Sequence, residues 1–163
     1  MPPVTDPVTR DGHAEAFISA TGADIRHGGQ CAFYRPATDH IQMPERELFT
    51  GTQTSSATEA YYGTLLHELT HWTGAKTRCA RNLTGRFGSQ AYAMEELVAE
   101  LGSAFLSAEL GITPVPRPDH AGYIASWLKV LKEDKRAIFT AASKAAQAAD
   151  FLQQFQPGTD EAA

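Results

Sequence analysis

The sequence predicts an α+β fold in which a small antiparallel sheet precedes about four helices, with the first long helix packed on the sheet. Two observations carry that prediction. Residues 23–43 hold three short, partly alternating segments punctuated by Gly and Pro, the pattern of strands and turns. From about residue 56 the apolar residues recur at spacings of three and four, the period of amphipathic helices. With 163 residues, 42% hydrophobic and 20% charged, the chain is long enough for one domain with its own core.

Taken in order, residues 1–10 carry three prolines and no periodic pattern and read as a flexible lead-in, followed by a folded domain over 11–155 and a tail over 156–163. Residues 12–20 read as a short helix. Ala23-Asp24-Ile25-Arg26, Cys31-Ala32-Phe33-Tyr34 and His40-Ile41-Gln42-Met43 read as the strands of a meander. Pro44 cannot donate to a ladder and so places the third strand at the sheet edge, where it could pair with an extended peptide. Ser55 or Ser56 caps a helix that buries Tyr62, Leu65, Leu66, Leu69 and Trp72 and stops at Gly74. Ser89 caps the next, with Met94, Leu97, Val98, Leu101 and Phe105 on one face and Gly111 at its end. Beyond Pro114, Pro116 and Pro118, Asp119 caps a helix burying Ile124, Trp127, Leu128 and Leu131. An alanine-rich helix through Ile138, Ala142, Ala145, Ala149 and Leu152 closes the fold.

Composition excludes several classes of function. The longest apolar runs fall well short of the roughly 18 residues that a membrane-spanning helix needs, and residues 1–7 lack the apolar stretch of a secretory signal. Cys31 and Cys79 stand alone, as in neither a zinc ribbon nor a disulfide framework, so a cytoplasmic location is expected. A net charge of -5 argues against strong nucleic-acid binding. One stretch is locally basic: Lys76, Arg78, Arg81 and Arg86 read either as a solvated loop or as a patch that steers an acidic partner.

The chemistry centres on His67-Glu68-Leu69-Thr70-His71. Two histidines four apart on a helix stack one turn above each other, so both rings can reach one ion, while Glu68 lies near enough to take a proton from a metal-activated water. At about 100° per residue, His67 and His71 point nearly opposite to the apolar face, so either another element covers them or the histidine pair is simply wet. Catalytic zinc sites take a third protein ligand, and Glu95-Glu96-Leu97-Val98-Ala99-Glu100 offers it. Glu96 and Glu100 share a stripe with Tyr92 and Ser103, while Glu95 lies about a quarter turn away. The expected assignment puts Glu96 on the metal and Glu100 behind it, accepting the N–H of His67. The competing reading is a solvent-facing row of acids. One zinc ion per chain is expected, although His2Glu ligation also accepts manganese or another divalent ion. Tyr92, His120 and Tyr123 are candidates for the second donor to a developing oxyanion, Tyr92 first because it shares the Glu96 stripe. His13 and His27 have no partner at a metal-binding spacing and read as surface residues.

The stretches Tyr61-Tyr62-Gly63-Thr64-Leu65-Leu66-His67-Glu68-Leu69-Thr70-His71-Trp72-Thr73-Gly74 and Tyr92-Ala93-Met94-Glu95-Glu96-Leu97-Val98-Ala99-Glu100-Leu101 resemble the zincin-like metallopeptidase domain of ArdC-type antirestriction proteins and related TraC-type plasmid proteins. Ala32-Phe33-Tyr34-Arg35-Pro36 and Tyr123-Ile124-Ala125-Ser126-Trp127-Leu128 extend the likeness, which runs from about residue 12 to about 152. The Glu96 and Glu100 spacing is similar to the gluzincin pattern. The resemblance implies a zinc-dependent metallopeptidase acting on a protein or peptide substrate in antirestriction or mobile-element biology. It also implies an N-terminal single-stranded-DNA-binding domain in a longer parent protein, a property that does not pass to these residues. The alternative is a non-cleaving, metal-stabilised module that captures a restriction or DNA-processing protein.

Overall fold

The computed structural model describes residues 12–51, 56–85, 89–112 and 132–157. Their elements are α1 (Gly12–Ala20), β1 (Asp24–His27), β2 (Phe33–Arg35), β3 (His40–Met43), a 3-10 turn (Arg46–Leu48), α2 (Ala57–Trp72), α3 (Gln90–Leu110) and α4 (Ala137–Gln153). The fold is α+β as expected. The expected lead-in, the helix expected to start at Asp119, and with it His120 and Tyr123, lie outside the described residues.

The sheet differs from the expected antiparallel meander. Its order is β1-β3-β2, with β3 antiparallel to β2 and parallel to β1. The turn Pro36–Asp39 folds β3 back along β2 in the register Tyr34↔Ile41, while β1 joins the other side of β3 in the register Ile25↔Ile41. The third strand is therefore central, and β2 is an edge. Pro44 follows the last paired residue, so its missing donor ends the ladder without marking an edge.

Centrality explains burial. Ile41 and Met43 are fully buried and join one core with Tyr61, Tyr62, Leu65, Leu66, Leu69 and Trp72 of α2 and Phe17 and Ile18 of α1. Full burial of one such aliphatic side chain stabilises the fold by about 1.5–3 kcal/mol. The start of α2 is set by Ser56: its Oγ accepts from the Glu59 amide at 3.1 Å, and the Glu59 carboxylate accepts from the Ser56 amide at 3.1 Å. This capping box satisfies two helix-start donors that would otherwise lack a partner.

α2 lies between the sheet and α3, and α4 packs on α3. Ser89 Oγ accepts from the Tyr92 amide to start α3, and Gly111 ends it in the left-handed region at φ 73°. Gly102 lets α3 approach α2 closely: a Cβ there would meet Thr70 Cγ2 at 2.6 Å. Ser103 Oγ donates to the Gly63 carbonyl at 2.9 Å on the same seam. Ala141 and Ala145 of α4 are fully buried against Leu97 and Val98. Among the described residues, no helix is long and apolar enough to cross a membrane.

Candidate metal centre

The face of α2 turned from the sheet carries His67, Glu68 and His71, and α3 covers it. His67 and Glu68 are 3% and 5% exposed and the His71 side chain is 12% exposed, so the motif is covered rather than wet. Glu95 and Glu96 are likewise buried at 9% and 8%, which rules out the solvent-facing row of acids. Close approach at Gly102 puts the α3 carboxylates within reach of the rings.

The two Nε2 atoms stand 3.2 Å apart. Glu96 faces both, with Oε2 at 3.2 Å from Nε2 of His67 and Oε1 at 3.2 Å from Nε2 of His71. Each ring turns its other nitrogen to a second carboxylate. His67 Nδ1 lies 2.7 Å from Glu100 Oε1, and His71 Nδ1 lies 2.7 Å from Glu95 Oε2. Glu95 in turn accepts from Arg81, whose Nε is 2.8 Å from Oε1.

These neighbours set the protonation balance of the metal-free cluster. Burial alone pushes the His71 imidazole down, but Glu95 and Glu96 outweigh it and hold it up at about 10. For His67 the same burial is outweighed by Glu100 and Glu96, and its pKa also rises. Burial raises Glu96, yet His67 and His71 hold its carboxyl well below the usual carboxylate range. Glu95 is also lowered, as His71 and Arg81 overcome its burial. The cluster demands a positive charge at its centre, supplied either by protons or by a cation.

The donor set fits a divalent cation. Carboxylates beside both Nδ1 atoms favour the tautomer that leaves each Nε2 lone pair facing Glu96. Donors bound to one ion at about 2.0–2.1 Å in tetrahedral directions stand about 3.3 Å apart, close to the separations found here. His67, His71 and Glu96 form a group of this kind among the described residues.

The group floors a cleft of about 320 Å³. Glu68 and Tyr92 line it, as do Ala32, Phe33 and Tyr34 from the edge strand β2 and the segment before it, and Asn82 and Leu83 from the loop after α2. The structure thus brings together His67, Glu68, His71, Tyr92, Glu96 and Glu100, while His13 and His27 are not part of this site. His27 Nε2 instead lies 2.8 Å from the Tyr61 hydroxyl.

Two residues that matter to the site are not singled out for it by sequence reasoning. The quarter-turn offset of Glu95 separates it from the Glu96 stripe, but that offset lets it reach the outer nitrogen of His71 rather than the inner one. In the sequence Arg81 reads as part of a basic stretch. Its side chain is 5% exposed, and its guanidinium is held by Glu95, Thr70 and Thr73. Arg78 is engaged too: it pairs with Asp39, donates from Nε to the Trp72 carbonyl at 2.6 Å, and lies 3.9 Å from the centre of the Trp72 ring. A basic stretch lacking acids just ahead of a helix rich in them was the available signal.

The sequence profile of a family described as zincin-like metallopeptidase matches residues 12–144. Uncharacterized protein y4eC of Sinorhizobium fredii is 55% identical over 150 residues, covering 92% of this chain and 47% of that protein. DNA primase TraC of Escherichia coli is 46% identical over 144 residues, 88% of this chain and 13% of the primase. The metal-free crystal structure of the antirestriction ArdC protein from plasmid R388 has a TM-score of 0.77 at 43% identity, covering 91% of this chain and 52% of that one. Its Mn(II)-bound structure has a TM-score of 0.75 at 40% identity, covering 94% and 55%. This chain therefore spans about half the length of y4eC and of ArdC, and a small part of TraC.

Proposed function

The chain belongs to the zincin-like metallopeptidase family, and on that premise we propose that it hydrolyses peptide bonds in a protein substrate, within antirestriction or plasmid biology. The observation that supports this reading most directly is the convergence of His67, His71 and Glu96 beside buried Glu68, on the floor of a cleft walled by an edge strand. The antirestriction role rests on the likeness to ArdC, and a cytoplasmic setting goes with it.

In this reading His67, His71 and Glu96 hold one zinc or manganese ion. When bound, such an ion lowers the pKa of a water molecule and polarises the substrate carbonyl. Glu100 and Glu95 keep the two imidazoles turned so that both Nε2 atoms face inward. Glu68 takes a proton from the attacking water and passes it to the leaving amine. Tyr92 lines the same cleft and donates its hydroxyl to the carbonyl oxygen as charge develops there. An extended substrate pairs with the open side of β2, so the peptide-binding edge is β2 and not the third strand expected from Pro44.

Metal analysis of the purified chain, together with digestion of a peptide library by the parent and by Glu68→Gln, tests the proposal. About one divalent ion per chain, cleavage by the parent and loss of cleavage in a metal-loaded Glu68→Gln support it. Protein that binds no metal, or cleavage indifferent to Glu68→Gln, overturns it. A parent that binds metal and captures a partner without ever cutting peptides is instead the non-cleaving module.

A further inference from the structure

Glu95 and Glu96 are adjacent, chemically identical and both buried, yet they meet opposite sides of the same imidazole. Something must sort them. Two carboxylates beside one ring could exchange roles, since each is a good acceptor for a ring N–H and a good ligand for a divalent ion.

The asymmetry comes from the loop after α2. Arg81 donates from Nε to Glu95 Oε1 at 2.8 Å and from Nη2 to Oε2 at 3.2 Å, a forked grip on one carboxylate. The rest of the guanidinium is anchored to the end of α2. Nη2 donates to the Thr70 carbonyl at 2.6 Å, and Nη1 donates to Thr73 Oγ1 at 2.9 Å. Thr70 immediately precedes His71. The clamp therefore references Glu95 of α3 to the helix turn that carries the ring it must orient. A rigid planar fork with five donors can make all four contacts at once, whereas the point charge of a lysine cannot.

Room exists for Glu95 to leave. A cavity of about 180 Å³ beside the pair is lined by Arg81, Glu95, Met94, Val98 and Lys144. An unclamped Glu95 side chain could turn into it and leave His71 Nδ1 without its acceptor.

We propose that Arg81 is a positioning residue that sorts the two carboxylates, locking Glu95 onto Nδ1 of His71 so that Glu96 is the one presented to the inward-facing ring nitrogens. The inference rests on the metal-site reading above. Arg81 acts through Glu95 and touches neither metal nor substrate.

The test is a double-mutant cycle read by metal affinity. Zn(II) and Co(II) dissociation constants are measured by chelator competition on the full chain for the parent, Arg81→Met, Arg81→Lys, Glu95→Gln and Arg81→Met with Glu95→Gln. Thermal unfolding is recorded for each. Arg81→Met is expected to weaken metal binding about 10–100-fold, the scale on which loss of groups orienting a ligand acts. Arg81→Lys recovers part of that loss, and the visible spectrum of the Co(II) form shifts as His71 loses its fixed orientation. In the Glu95→Gln background, Arg81→Met adds much less than it costs alone. Should Arg81→Met not fold, Arg81→Lys, alone and combined with Glu95→Gln, carries the same cycle with a smaller loss. Unchanged affinity in the Arg81 variants, or an Arg81 loss undiminished by Glu95→Gln, overturns the inference while leaving the metal site standing. A parent that binds no metal overturns the site reading and this inference with it.

Discussion

Helix α2 meets the sheet and α1 through Tyr61, Leu65, Leu66 and Leu69, and meets α3 through Gly63, His67, Thr70 and His71. The first contact is mainly apolar, with the hydroxyls of Tyr61 and Tyr62 reaching His27 and Glu15 at its margin, and most of its energy scales with area removed from water. The second is built from oriented donors and acceptors, in which each ring nitrogen has an assigned carboxylate. One helix thus separates two tasks: its apolar face secures the fold, and its polar face positions the candidate metal ligands. Substitutions on the first should alter stability ahead of ligand geometry, and substitutions on the second the reverse.

The largest expected effect lies on the polar face. Glu68→Gln should lower kcat/KM by about 10²–10⁴-fold, the usual contribution of a general base, with unfolding midpoint and metal content close to the parent in parallel assays. Leu69→Ala tests the other face. It should cost about 2–5 kcal/mol of stability in urea unfolding, while the metal dissociation constant, measured well below the midpoint, stays near that of the parent. Glu100→Ala should weaken metal binding about 10–100-fold through His67, measured by chelator competition.

Gly102→Ala probes the seam between the two regimes. Alanine favours helix, but its Cβ would stand 2.6 Å from Thr70 Cγ2, so the helices must part. A net loss of about 1–3 kcal/mol is expected, with a metal-affinity loss that Leu69→Ala does not show.

The mildest perturbation is pH. In the metal-free cluster the His71 pKa is raised to about 10, so its ring carries a proton at neutral pH that an incoming ion must displace. Apparent metal affinity should therefore fall as pH falls, by about tenfold per unit for each proton displaced, and level off above the raised pKa. Isothermal titrations in buffers of different ionisation enthalpy would count the protons released. A pH-independent affinity would mean that the rings are already neutral in the metal-free protein.

Much of this was readable before folding. The period of three and four from Tyr62 to Trp72, the Ser56 and Ser89 caps and the Gly111 stop are local signals, and each is where the fold places it. The Glu96, Glu100 and Tyr92 stripe was legible because helical geometry alone puts these residues on one side. The strand order was not. Pro44 reports only a missing donor, and nothing in residues 23–43 encodes whether β1 joins the hairpin beside β2 or across β3.

Glu95 marks the same boundary within the site. Its place on α3 follows from helical period, and so does its offset from Glu96. Its partner on the ring depends on how far α3 sits from α2, which Gly102 and Thr70 set, and on an arginine fourteen residues earlier that is tied to the end of α2. Local propensity and periodicity therefore specify the helices, their ends and the face that bears His67, Glu68, His71, Glu96 and Glu100. The central position of β3, the engagement of Arg78 and Arg81 and the division of labour between Glu95 and Glu96 arise only once the helices and sheet pack. These depend on directional contacts between residues distant in the chain, and no local period encodes such contacts.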